Sequence, residues 1–215
     1  MQASRNLVFL YAAAFLRSAS IGLLGVLLAV YLSRTGFSPT AIGFVLAAGL
    51  VGSSAATAAI SRYGNRFSRR RLLIAAAVLS AMGGIGLAFV HSPSALVPVA
   101  FLCMLNGMGT DRSAAFAMEQ ALIPGLVADR GRTWALSWYN VVLDTSGAFG
   151  ALAGALPVVI HNWAGIDLLH AYKPVFLFYT GLNLVSAALY LLLDSQVELS
   201  THGRDEAPQT ITPVS

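Results

Sequence analysis

The chain has 215 residues, 57% of them hydrophobic and 10% charged, where soluble domains carry about a quarter charged residues. With a mean hydropathy of +0.72, water is excluded as the solvent for most of its surface. The formal net charge of +4 does not mark a nucleic-acid partner, because the basic residues sit in short breaks between apolar runs, the placement that sets topology across a lipid bilayer.

A hydrocarbon core about 30 Å thick takes roughly 20 helical residues to cross, with every backbone group satisfied inside the segment. The first run of that length, residues 7–32, follows Arg5. It is too long for the core of a signal peptide and reads as a retained span. Runs at 39–60, 72–90, 95–117, 133–160 and 174–193 follow. The chain is therefore expected to be all-α, a polytopic membrane helix bundle of about six transmembrane helices within residues 1–195. The breaks between runs are polar and rich in turn formers, as in Thr35-Gly36-Phe37-Ser38-Pro39. Residues 161–173 are expected to form the longest external loop, with Trp163 and Tyr172 anchoring at the interface. Residues 196–215 are polar and read as a flexible cytoplasmic tail or linker.

Arg5, Arg62, Arg66, Arg69, Arg70, Arg71, Arg130, Arg132 and Arg204 fall on one side of these spans, and Arg34 and Lys173 on the other. The positive-inside rule then puts both termini in the cytoplasm.

The turn after the second span reads Ser61-Arg62-Tyr63-Gly64-Asn65-Arg66-Phe67-Ser68-Arg69-Arg70-Arg71. It resembles the loop signature of the major facilitator superfamily, a glycine followed by an Asp-Arg-x-Gly-Arg-Arg core. Arg66, Arg69 and Arg70 stand at its basic positions, and Ser61, Asn65 and Ser68 replace its Gly, Asp and Gly. The stretch Glu119-Gln120-Ala121-Leu122-Ile123-Pro124 ahead of Arg130-Gly131-Arg132 is similar to the end of the fourth span in bacterial members. Gly147, Gly150 and Gly154 resemble that family's glycine-rich fifth span, without the Gly-Pro pair of many antiporters. The resemblance covers about residues 7–195 and implies the amino-terminal six-helix half of a transporter. Such halves rock in pairs around a central site, so it also implies a second half, supplied by another chain or by an identical one.

Charges deep in a bilayer cost several kcal/mol and face a cavity or a partner. Arg17 lies about ten residues into the first span and Asp144 about eleven into the fifth, each roughly 15 Å deep. They are expected to pair, either as a structural tie or as a polar patch on the solute pathway. Asn140 shares a helical face with Asp144, Gly147 and Gly154, whose small residues suit close helix packing, as does Gly150. On the fourth span Arg112 is expected to look into the cavity and Asp111 to pair elsewhere. Asn106 is a further pathway candidate or an interhelical hydrogen-bond donor. Glu119 is expected near the cytoplasmic end, as a gating latch to Arg66 or Arg69, with Arg70 in the same cluster.

Cys103, alone in an apolar run, reads as a small core residue. His91, His161 and His170 lack metal-site spacing, and no phosphate loop or nucleophile motif occurs. No cofactor, metal or enzymatic activity is expected. The functional expectation is secondary transport of a small solute by alternating access, for which the resemblance implies a proton gradient as the driving force. The alternative is a membrane assembly or regulatory subunit, or a truncated product, with the same fold.

Overall fold

In the computed structural model the structure describes residues 2–64, 67–90, 92–109 and 113–193, with side chains from Arg5 onward. Eight α-helices occur among these residues: α1 (Gln2–Arg34), α2 (Pro39–Tyr63), α3 (Arg69–Phe89), α4 (Pro93–Leu102), α5 (Ala114–Leu126), α6 (Arg132–Ala153), α7 (Leu156–Ala164) and α8 (Leu168–Leu191). Among the described residues, five helical stretches are long and apolar enough to cross a membrane, α6 and α7 together making one of them. The chain is an all-α polytopic membrane helix bundle.

Local chemistry sets the ends. At the end of α1 the Phe37 N–H reaches the Leu32 carbonyl and the Gly36 N–H reaches that of Ser33. Gly36 adopts the left-handed φ of 84° that this closure requires. Ser38 then caps α2 by accepting the Ala41 N–H at 3.2 Å, with Pro39 in the first turn.

The fourth span departs from expectation. The apolar run 95–117 is not one helix: α4 ends at Leu102, and the chain leaves the helix before Ser113 restarts it as α5. The same closure that ends α1 recurs, with Leu105 N–H on the Ala100 carbonyl and Met104 N–H on that of Phe101. Here a methionine occupies the left-handed position, with φ 52°. Asn106 stabilises the interruption by accepting the Met108 N–H at 2.9 Å. Apolarity predicts immersion, whereas Asn106-Gly107-Met108-Gly109 is a turn-forming sequence that hydropathy does not register.

The fifth span, expected over 133–160, bends at Gly154 and Ala155 and continues through α7 to Ala164. The external loop expected at 161–173 shrinks to residues 165–167. Gly165 ends α7 at φ 66° and Asp167 caps α8, so the sixth span begins earlier than residue 174. Trp163 is exposed, whereas Tyr172 is buried against Tyr31 and Phe176 and is a core residue rather than an interfacial anchor.

Helix α1 is central, with buried positions making up 61% of its most apolar stretch against 17% for α2. It runs through two apolar cores. One gathers Leu23 to Leu32 of α1 with Leu87, Leu96, Tyr172 and Phe176, and the other gathers Leu10 to Ala14 with Leu73, Leu122, Tyr139 and Tyr190. Between them along α1 lie Arg17, Ser18 and Ser20, buried and polar. Ser18 donates to the Leu143 carbonyl at 2.8 Å, and Ser186 of α8 donates to the Ala13 carbonyl at 3.0 Å. A polar layer thus separates two greasy ends of one bundle.

Candidate functional site

The polar layer is centred on Arg17, which is 5% exposed. Its Nη2 donates to Glu119 Oε2 at 2.5 Å. The Tyr139 hydroxyl donates to the same oxygen at 2.5 Å, and the Tyr190 hydroxyl donates to Oε1. Glu119, with no exposed surface, therefore takes donors from α1, α6 and α8 at once. A buried ion pair is tolerable when its remaining lone pairs are hydrogen-bonded, and the two phenols meet that condition.

The other side of the guanidinium turns elsewhere. Arg17 Nη1 lies 3.4 Å from the hydroxyl oxygen of Ser113, the residue that caps α5. Both residues line a cavity of about 30 Å³. Its wall also includes Ser53 of α2, Ser80 of α3, Asn106 of the interruption and Asn183 of α8. The interruption of the fourth span is thus what brings backbone and amide groups to this depth, where non-helical chain is tolerated only when it is buried in protein or lines a cavity. A larger cavity of about 410 Å³ lies between α1, α3 and the first turns of α8, where the Lys173 ammonium sits 4.3 Å from the centre of the Phe89 ring. Among the described residues, none of the pathway candidates lines it.

The partner expected for Arg17 is corrected. Arg17 pairs with Glu119, while Asp144 is exposed on the outer face of α6. Asn140 is exposed beside it, donating back to the Leu136 carbonyl at 3.0 Å. Tyr139, Leu143, Ser146 and Gly150 form the buried face of that helix. The latch is corrected by the same contact, since Glu119 is held in the interior and not by Arg69. Arg70 instead donates to the Leu191 carbonyl at 2.5 Å, tying the start of α3 to the end of α8. Asn106 lines the cavity and bonds within its own segment. Arg66, Asp111 and Arg112 lie outside the described residues, as do residues 196–215.

The three glycines of the fifth span lie against α1. A Cβ at Gly22 would overlap the Gly147 carbonyl, one at Gly150 would overlap the Ala19 carbonyl, and one at Gly154 would meet the Val26 side chain at 2.8 Å. This backbone approach brings Tyr139 to the Arg17 guanidinium.

Tyr139, Tyr190, Ser113 and Asn183 stand at the site without having been expected there from the sequence. A signal existed for Glu119, because Ala115, Glu119, Leu122 and Ile123 recur at helical spacing and mark a single inward face.

A family model described as "Major Facilitator Superfamily" matches residues 10–215. The chain is also 25% identical over 202 residues to the "Uncharacterized membrane protein YJR124C" of Saccharomyces cerevisiae, a match that covers 93% of this chain and 45% of that protein. The chain thus spans less than half the length of the curated relative it matches.

Proposed function

We propose that this chain, which belongs to the Major Facilitator Superfamily, acts as the amino-terminal half of a secondary transporter that moves a small solute by alternating access. The observation that carries the reading is the polar layer: a buried Arg17–Glu119 pair beside a cavity lined by hydroxyls and amides, set between two apolar cores. A bundle that only had to be stable would gain little from such a layer, since buried ion pairs rarely add net stability. A polar site at mid-depth is what a solute pathway needs.

The exposed Asn140 and Asp144 on α6 favour a second bundle, either another six-span half or an identical chain. A carboxylate on a lipid-facing surface at that depth costs about 2.5 to 3.5 kcal/mol by insertion scales. In this reading the second half covers that face and the solute crosses between the two. Both termini face the cytoplasm, as the arginine distribution implies, in the cell membrane. Protons drive the movement.

Uptake by proteoliposomes tests this. The chain alone and the chain with a six-span second half would be reconstituted and offered a panel of solutes, with and without a pH gradient. Solute accumulation that needs both halves and the gradient is expected. A reconstituted pair inert toward every solute would support a non-transporting subunit instead.

A further inference from the structure

We propose that the larger cavity, at the end of the bundle opposite the arginine-rich turn, holds the head group of an anionic phospholipid whose acyl chains lie along the exposed faces of α3 and α8. The inference is independent of the solute and of the polar layer.

Three helix ends build the cavity. Tyr31 comes from the last turn of α1, Leu87 and Phe89 from that of α3, and Leu169, Lys173 and Phe176 from the first turns of α8. Its volume of about 410 Å³ falls among those of ligand pockets, about 300 to 1,000 Å³. The floor is aromatic and packed: the Tyr31 ring meets Phe176 edge-on with centres 4.8 Å apart and tilts against Tyr172 at 5.2 Å. Tyr31 is only 8% exposed, yet among the described residues no hydrogen bond engages its hydroxyl. A buried phenol ordinarily has a partner.

The rim carries the charge. Lys173 Nζ stands 4.3 Å from the centre of the exposed Phe89 ring, a contact that fixes the ammonium in place. Among the described residues Lys173 forms no ion pair. Asp167, the carboxylate at this end of α8, is engaged by the Leu169 N–H and by His170 and does not line the cavity. A phosphate entering here would meet a fixed cation and a phenol donor, whereas a choline head would set its own cation against Lys173.

The surroundings make the anion part of a lipid. Val78, Met82, Ile85 and Phe89 are exposed and recur at spacings of three and four, so they form one apolar stripe on α3 that ends beneath Lys173. From residue 78 to residue 89, at 1.5 Å each, the stripe is roughly 16 Å long. That is the depth of one leaflet of a hydrocarbon core about 30 Å thick. Leu177 and Leu184, both exposed, continue the Lys173 face down α8. A free phosphate would use the cavity and none of this length.

The test is native mass spectrometry of the purified whole chain released from detergent, titrated with palmitoyl-oleoyl phosphatidylglycerol and with the zwitterionic phosphatidylcholine of the same chains. Any lipid retained by Arg69 to Arg71, at the far end of α3, is common to every variant, so the readout is the difference between variants. Lys173→Gln should weaken one phosphatidylglycerol site about fivefold, the factor one basic side chain contributes toward anionic lipid. Its binding of phosphatidylcholine should not change. Lys173→Arg should match the unaltered chain, and so should Arg34→Gln, which removes a cation at the same end of the bundle outside the cavity wall. Inorganic phosphate in excess should not displace the lipid that Lys173 holds. Should Lys173→Gln fail to fold, Leu169→Trp, which narrows the mouth, should lose the same phosphatidylglycerol and decides in its place. Identical phosphatidylglycerol binding with and without Lys173, an equal loss in Arg34→Gln, or an equal loss of phosphatidylcholine overturns the proposal. Displacement by inorganic phosphate overturns it too, and assigns a free-anion site.

Discussion

Arg17 and Glu119 stand 102 positions apart in the chain and 2.5 Å apart in space, and their contact ties the middle of the central helix to the second half of the broken fourth span. Both side chains are sealed from solvent, at 7% and 0% exposure. Removing one partner leaves the other charge buried. Glu119→Ala should therefore cost about 3 to 5 kcal/mol of stability, and the double replacement Arg17→Met with Glu119→Leu should recover most of it. Thermal unfolding in detergent measures both. Equal destabilisation by the single and double replacements would show that the charges are not coupled.

The α1–α6 contact should be intolerant of the smallest side chain. Gly150→Ala places a methyl group on the Ala19 carbonyl, and Gly22→Ala places one on that of Gly147, so each should destabilise by about 1 to 3 kcal/mol. Gly181→Ala, with nothing near the added carbon, is the control. It should be neutral or slightly stabilising, because alanine favours a helix more than glycine does.

Met104 holds a left-handed conformation at φ 52°, which costs a residue with a side chain about 1 to 2 kcal/mol. Met104→Gly should recover up to about that amount, offset by the loss of a partly buried side chain. Met104→Val should lose stability, since branching at Cβ makes positive φ still less favourable. The difference between the two melting temperatures is the readout.

Asp167 caps α8 by accepting the Leu169 N–H at 3.0 Å, with His170 beside it. That backbone hydrogen bond, with a smaller contribution from His170, holds its carboxyl below the usual range. A lowered folded value means that the cap is fully effective above the unfolded carboxylate value of about 3.9 and is lost as pH falls through the lower folded value. Amide exchange in the first turn of α8 should therefore quicken on acidification. Asp167→Asn, which keeps an acceptor and does not titrate, should abolish that pH dependence.

Topology can be read by single-cysteine labelling in a Cys103→Ser background. A cysteine at Gly64 should label only from the cytoplasm and one at Asn162 only from outside. Labelling of both from the same side of intact cells would remove the proposed orientation.

The bundle was legible because crossing length is a one-dimensional property: runs of about 20 apolar residues declare themselves. The interruption of the fourth span was not, because Cys103 to Met108 is apolar enough to pass as membrane helix while the turn chemistry of Asn106, Gly107 and Gly109 decides otherwise. Depth placed Arg17 in the interior, but depth says nothing about direction around a helix. Asp144 and Leu143 differ by one residue, hence by about 100°, and that rotation turns the carboxylate outward and the apolar neighbour inward. The true partner sat on a helix whose start was hidden by the same interruption. The resemblance to the major facilitator superfamily rested on loop residues and spacing, and the match over residues 10–215 bears it out.

The long separation between Arg17 and Glu119 also constrains how the protein is made. At roughly 5 to 20 residues per second, the arginine leaves the ribosome about 5 to 20 s before the carboxylate that neutralises it. During that interval α1 carries a charge that lipid disfavours, with neither Glu119 nor Tyr139 yet emerged from the ribosome. Until the fourth span arrives, α1 has to wait beside the insertion machinery or in the hydrated edge of the membrane. Helix α4, at 10 residues, is too short to enter lipid as an independent span. Neutralisation of the first helix therefore waits on the second hairpin, and a ribosomal pause placed ahead of residue 114 would prolong the exposure of the arginine.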